Sequence, residues 1–171
     1  ARMASILNVD KIRATGSTTD GLTVDSNGRV LQPNGVFVYA QLTTSNAQDS
    51  SHPYTTTGTD IRFDEVKVNR GSAYTESNGR FTAPVAGIYR IHVNFLKSNT
   101  GTDTYFSIYK NGSDSLVRGY NSTAEYAPMI AEAFFDLAAN DYLTVQMVQG
   151  DINITASTTG QYNHALFELV G

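Results

Sequence analysis

The sequence predicts an all-β chain folded as an antiparallel sandwich or jelly roll, and three observations predict it. Apolar and polar residues alternate over several runs of strand length. Asn-Gly pairs, which tolerate the positive φ of tight hairpin turns, fall at 27–28, 34–35, 78–79 and 111–112. No segment sustains a helical period.

Taken in order, Ala1 and Arg2 precede Met3 and stand outside the fold reading. Residues 1–32 read as a separate stem. Its apolar pieces are short (Ile6-Leu7, Val9, Ile12, Leu22, Val24, Val30, Leu31), and Gly16 and Gly21 punctuate them. That is too little apolar surface to fold alone, so a second copy or a larger assembly is expected to order it. Asp25-Ser26-Asn27-Gly28 reads as a turn; a calcium loop would need further carboxylates and a closing Glu.

Residues 33–171 read as one domain. In Gly87-Ile-Tyr-Arg-Ile-His-Val-Asn-Phe95, Tyr89, Ile91, Val93 and Phe95 fall on one face and Arg90, His92 and Asn94 on the other. Phe106 and Ile108 oppose Tyr105 and Tyr109. Met129, Ala131, Ala133, Phe135 and Leu137 alternate with Glu132 and Asp136. Leu143, Val145 and Met147 alternate with Thr144 and Gln146, and Ala165, Phe167 and Leu169 with Glu168.

Composition narrows function. The 171 residues are 40% hydrophobic but only 16% charged, and Thr, Ser, Asn and Gly fill the gap. Such a chain can bury a core. A net charge of −4 and a pI near 5.2 speak against an electrostatic grip on nucleic acid. Without cysteine there is no disulfide scaffold, thiol nucleophile or thiolate zinc site. No apolar run reaches the roughly 18 residues of a membrane span, and no signal peptide is visible. Three histidines, His52, His92 and His164, leave little for metal or acid–base chemistry. A binding or structural module fits better than an enzyme.

A spaced set of residues carries a resemblance: Phe63, five residues, Asn69, four, Tyr74, six, Phe81, five, Gly87, one, Tyr89. With Phe81-Thr-Ala-Pro-Val-Ala-Gly-Ile-Tyr-Arg-Ile91, this resembles the signature of C1q-like domains, relatives of tumour necrosis factor. Ile91 and Val93 stand where that family usually has aromatics, and both stay apolar. Pro33-Asn-Gly-Val-Phe37 resembles the family's first strand. Leu137-Ala-Ala-Asn140-Asp141-Tyr-Leu-Thr-Val145 resembles a Gly-Asp turn and the next strand, with Asn140 in place of Gly. His164-Ala-Leu-Phe-Glu-Leu169 resembles the closing strand. The resemblance implies a ten-strand jelly roll assembling as a homotrimer. No Gly-X-Y repeat occurs in these residues, so the collagen-like stalk usual in that family is not expected. Instead Val9-Asp-Lys-Ile-Arg-Ala-Thr-Gly16 and Gly21-Leu-Thr-Val-Asp-Ser-Asn-Gly-Arg-Val30 resemble the start of bacteriophage fibre and appendage proteins.

No catalytic constellation emerges. Asp64 and Glu65 are neighbours and should point to opposite faces. Glu132 and Asp136 share a face but lie roughly 13 Å apart by strand rise, beyond the span of a glycosidase pair. No nucleophile elbow, phosphate loop or dinucleotide fingerprint appears. His92 sits on the polar face of a central strand, where an interface role is one reading. Asn111-Gly-Ser, Asn121-Ser-Thr and Asn153-Ile-Thr fit the glycosylation pattern but read as ordinary loop composition.

Counting strands back from the C-terminus alternates base and apex. Loops around 98–103, 121–128 and 150–162 then share the apex, and the Asn111-Gly112 hairpin sits at the base. The apical residues Asn99, Asp103, Asn121, Tyr126, Asp151, Asn153, Gln161 and Tyr162 combine hydrogen bonding with flat apolar faces, which suits sugar or protein recognition.

The expected function is therefore that of a non-enzymatic, homotrimeric bacteriophage protein on the virion surface, attaching to the host cell. A capsid decoration or head-fibre protein is the rival, and a secreted bacterial C1q-like surface protein a further one. Expected partners are other copies of the chain, other virion proteins through the stem, and a host glycan or protein, without nucleic acid or membrane insertion. No cofactor or metal is expected; calcium is implied by family analogy only, since no ligand set maps onto these residues.

Overall fold

A computed structural model describes residues 10–13, 15–16, 21–32, 35–43, 58–97, 103–121, 126–152 and 161–171. The chain divides into two compact units, Ala1–Gly35 and Val36–Gly171.

The N-terminal unit carries a small antiparallel sheet of β1 (Lys11–Ile12), β2 (Leu22–Val24) and β3 (Val30–Leu31), in that order. The turn between β2 and β3 is built by Asp25. Its carboxylate accepts the N–H groups of Asn27 and Arg29, both at 2.9 Å, and the Arg29 Nε–H at 2.6 Å. Only Gly28 of the Asn-Gly pair takes the left-handed conformation, at φ 76°. Asn27 keeps an ordinary φ because the Asp25 side chain, rather than a two-residue hairpin, closes the turn.

The C-terminal unit carries ten strands among its described residues. They are β4 (Phe37–Gln41), β5 (Glu65–Arg70), β6 (Tyr74–Thr75), β7 (Arg80–Thr82), β8 (Gly87–Leu96), β9 (Thr104–Lys110), β10 (Asp114–Asn121), β11 (Pro128–Leu137), β12 (Tyr142–Gln149) and β13 (His164–Leu169). They form two five-stranded antiparallel sheets, β10-β9-β12-β7-β6 and β11-β8-β13-β4-β5. Neighbours in a sheet are often distant in sequence, as in a jelly roll.

The alternation read from sequence is the pattern of burial. Tyr89, Ile91, Val93 and Phe95 of β8 are buried, with Phe106, Ile108, Met129, Ala131, Leu143, Val145, Ala165 and Phe167 from the strands around them. Rings interlock across the core: Phe81 stacks on Phe167 at 4.7 Å, and Phe63 on Phe95 at 5.7 Å. Each such side chain contributes about 1.5–3 kcal/mol by leaving water. The turn at Asn111-Gly112 is a tight hairpin with both residues left-handed, at φ 52° and 77°.

The register defines two ends. At one, Gly87 lies opposite Leu137, the Ile88 N–H donates to the Gly171 carbonyl, and Asn111 bonds to Asp141 and Tyr142. At the other, Lys97 bridges to Ile152, Tyr126 bonds to the Lys97 carbonyl, and Leu96 bonds to the Asn163 side chain.

Candidate functional site

The six spaced residues that carry the family resemblance hold the sandwich together. Phe63, Tyr74, Phe81 and Tyr89 are buried. The Phe63 N–H donates to the Tyr74 hydroxyl oxygen at 2.8 Å. Asn69 clamps the backbone of Tyr74 twice: its amide donates to the Tyr74 carbonyl at 2.8 Å, and its carbonyl accepts the Tyr74 N–H at 3.1 Å. Tyr89 meets Phe81 edge-on at 5.4 Å and donates its hydroxyl to the Val85 carbonyl. At Gly87 an added Cβ would stand 2.7 Å from both the Gly171 carbonyl oxygen and the Leu169 side chain, so glycine is what fits. Asn140 takes the left-handed conformation at φ 72°, as a glycine would. Beside it, hydrogen bonds from Lys110, Asn111 and the Ala138 N–H hold the Asp141 carboxyl down to about 2.

Of the eight residues read as apical, Asp103, Asn121, Tyr126, Asp151, Gln161 and Tyr162 lie at or beside the ends of strands that meet at the Lys97–Ile152 end. Tyr126 and Tyr162 are exposed, at 58% and 46%. Asn121 donates to the Pro128 carbonyl at 3.3 Å, and the Tyr162 carbonyl accepts from the Asn94 amide at 2.6 Å. Asn99 and Asn153 lie outside the described residues. Among the described residues, no cluster of three or more His, Asp or Glu side chains could hold a metal ion.

A second surface has a stronger physical signature. Cross-strand partners share a face, so the register assigns the outer side of the β11-β8-β13-β4-β5 sheet residue by residue. One row runs Glu132, His92, Leu166, Tyr39, Val68, and the next Phe134, Arg90, Glu168, Phe37, Arg70. A third begins Ile130, Asn94, His164, Gln41. Phe134 is 62% exposed and Ile130 52%.

Polar groups in the middle of this face are closely knit. Glu132 accepts from the Arg90 Nε–H at 3.0 Å and lies 3.3 Å from His92 Nδ1. Arg90 also reaches Glu168 at 3.9 Å. Hydrogen bonds from Arg90, then His92, hold the Glu132 carboxyl below its usual range. His164 lies between His92 and Tyr39, with ring centroids 5.8 Å away on each side. Two buried atoms here, Asn94 Oδ1 and His164 Nδ1, have no hydrogen-bond partner. Buried polar atoms are normally paired, so these two mark the face as unusual, as Ser107 Oγ and Thr144 Oγ1 do in the other sheet.

The polar face of β8 that carries His92 is the outer side of this sheet. His164 beside it is not legible in the sequence, because the adjacency of β8 and β13 is a matter of topology. The exposed Ile130 and Phe134 were readable: both fall on the Glu132 face of β11, which makes that strand apolar on both sides.

Residues 40–167 match the family model of the C1q domain. The mouse collagen alpha-1(X) chain is 30% identical over 127 residues, which cover 68% of this chain and 17% of that relative. Among solved structures, murine APRIL superposes with a TM-score of 0.60 at 15% identity, covering 80% of this chain and 99% of APRIL. The globular domain of zebrafish complement 1qA gives 0.55 at 14%, covering 80% and 98%. The Eiger TNF of S. frugiperda gives 0.60 at 11%, covering 81% and 94%. The fold is thus the jelly roll shared by C1q and tumour-necrosis-factor domains. The chain belongs to the C1q domain family.

Proposed function

We propose that the chain is a non-enzymatic recognition module working as a homotrimer. Three copies join through the outer face of the β11-β8-β13-β4-β5 sheet, and the Lys97–Ile152 end presents the binding loops. The observation that carries this reading is the sheet face itself. It exposes Phe134 and Ile130 beside two buried, unpartnered polar atoms. Three-fold closure covers such apolar surface and gives the orphaned atoms partners.

The role we propose for the trimer is host attachment at a bacteriophage virion surface, with the stem of residues 1–32 joining it to other virion proteins and residues 33–171 forming the displayed domain. The likeness of residues 9–30 to phage fibre and appendage proteins supports it. Exposed Tyr126 and Tyr162, at the same end as Asp103, Asn121, Asp151 and Gln161, suit a glycan or protein ligand. Three weak sites on one trimer gain avidity on a repetitive cell surface.

The test is adsorption of the purified protein to bacterial cells. Attachment predicts saturable binding that falls several-fold in Tyr126→Ala and Tyr162→Ala while the oligomeric mass stays unchanged. Absent cell binding, with antibody label spread over the capsid of source virions, overturns attachment and supports the decoration role.

A further inference from the structure

The three short strands of the N-terminal unit divide their side chains unevenly. In the register Ile12 faces Leu22 and Val24 faces Val30, while Leu22 and Val24 are two apart on one strand. Ile12, Leu22, Val24 and Val30 therefore share one face, and Lys11, Thr23 and Leu31 share the other. The first face is wholly apolar and, with Asp10 and Lys11 at its edge, lines an open hollow of about 230 Å³. Three of its four side chains are exposed: Ile12 at 54%, Val24 at 40% and Val30 at 66%. Strands of two or three residues are not stable in water without a covered apolar face.

We infer that this face is covered by the same face of the other two copies, so that the N-terminal units pack together in the trimer. The inference rests on the trimeric reading above. Area decides the occupant. A separate protein held on its own needs roughly 1,000 Å² or more of interface, and four side chains cannot supply it. A tethered copy needs far less, because its concentration is set by the linker. Residues 32–36 alone separate β3 from β4, a strand of the self-associating sheet. So short a link holds the three units at effective concentrations in the millimolar range.

The chain contains no cysteine, which makes the test direct. Val30 and Leu31 are adjacent, both exposed, and on opposite faces. Full-length Val30→Cys, oxidised at low protein concentration, should give a cross-linked two-chain band on a non-reducing gel, because thiols of neighbouring copies meet. Leu31→Cys should give several-fold less. The pair Val24→Cys and Thr23→Cys repeats the comparison on β2 should either β3 variant fail to fold. A three-chain mass with equal or absent cross-linking from both faces overturns the packed units and leaves the trimer standing. A one-chain mass overturns both.

Discussion

His92 and His164 stack across neighbouring strands, their ring centroids 5.8 Å apart and their planes 20° from parallel. Burial first, and then the charge of His92, hold the His164 imidazole below its usual value. The folded chain thus prefers this ring neutral. The unfolded chain takes up the proton near the ordinary value of about 6.5. The stabilising contribution is complete above that pH and is lost as pH falls toward the depressed folded value. Glu132 titrates lower, so the two do not overlap between pH 7.5 and 5. Thermal unfolding should shift to lower temperature across that window, and His164→Gln should flatten the shift. An equal shift in the variant would show that another group is responsible.

Tyr74 provides a second test. Burial pushes its hydroxyl pKa upward, and the oxygen accepts the Phe63 N–H at 2.8 Å. Tyr74→Phe keeps the ring and strands a buried donor. Urea unfolding should show a loss of about 1–3 kcal/mol. A neutral result would mean that water takes the place of the hydroxyl.

Gly119 lies against the core ring of Phe106. An added Cβ would fall 2.1 Å from Phe106 Cε1, and Phe106 is itself held edge-on by Phe95 at 4.9 Å. Gly119→Ala should therefore cost about 1–3 kcal/mol through overpacking. The unfolding midpoint measures it, and Phe106→Leu in the same background should recover part of the loss by making room.

The legible parts of the fold were those written in local periodicity. β8 has one face in the core, so its alternation marks strand and burial together. Asn140 was readable as a substitute for glycine because Asn tolerates φ near 72°. Strand counting brought Asp103, Asn121, Tyr126, Asp151, Gln161 and Tyr162 to one end because an antiparallel chain reverses at each turn. Glu65–Arg70 was harder: its exposed face is charged, and a register shift between Tyr39 and Ala40 interrupts its pairing with β4. The candidate interface was the least legible. Its rows draw on five strands from five separate stretches of sequence, and no local pattern says that Glu132 will meet His92 or that His164 will lie beside them.

The proposed assembly is three copies of this C1q-domain chain joined through the sheet that carries Phe134 and His164. Multi-angle light scattering on the 171-residue chain at micromolar concentration is the decisive measurement. The expected mass is about 56 kDa, three times the 18.6 kDa chain, falling toward one chain in Phe134→Glu while the β-sheet circular dichroism persists. A stable 18.6 kDa monomer of the unsubstituted protein, or a trimer indifferent to Phe134→Glu, would overturn this assembly.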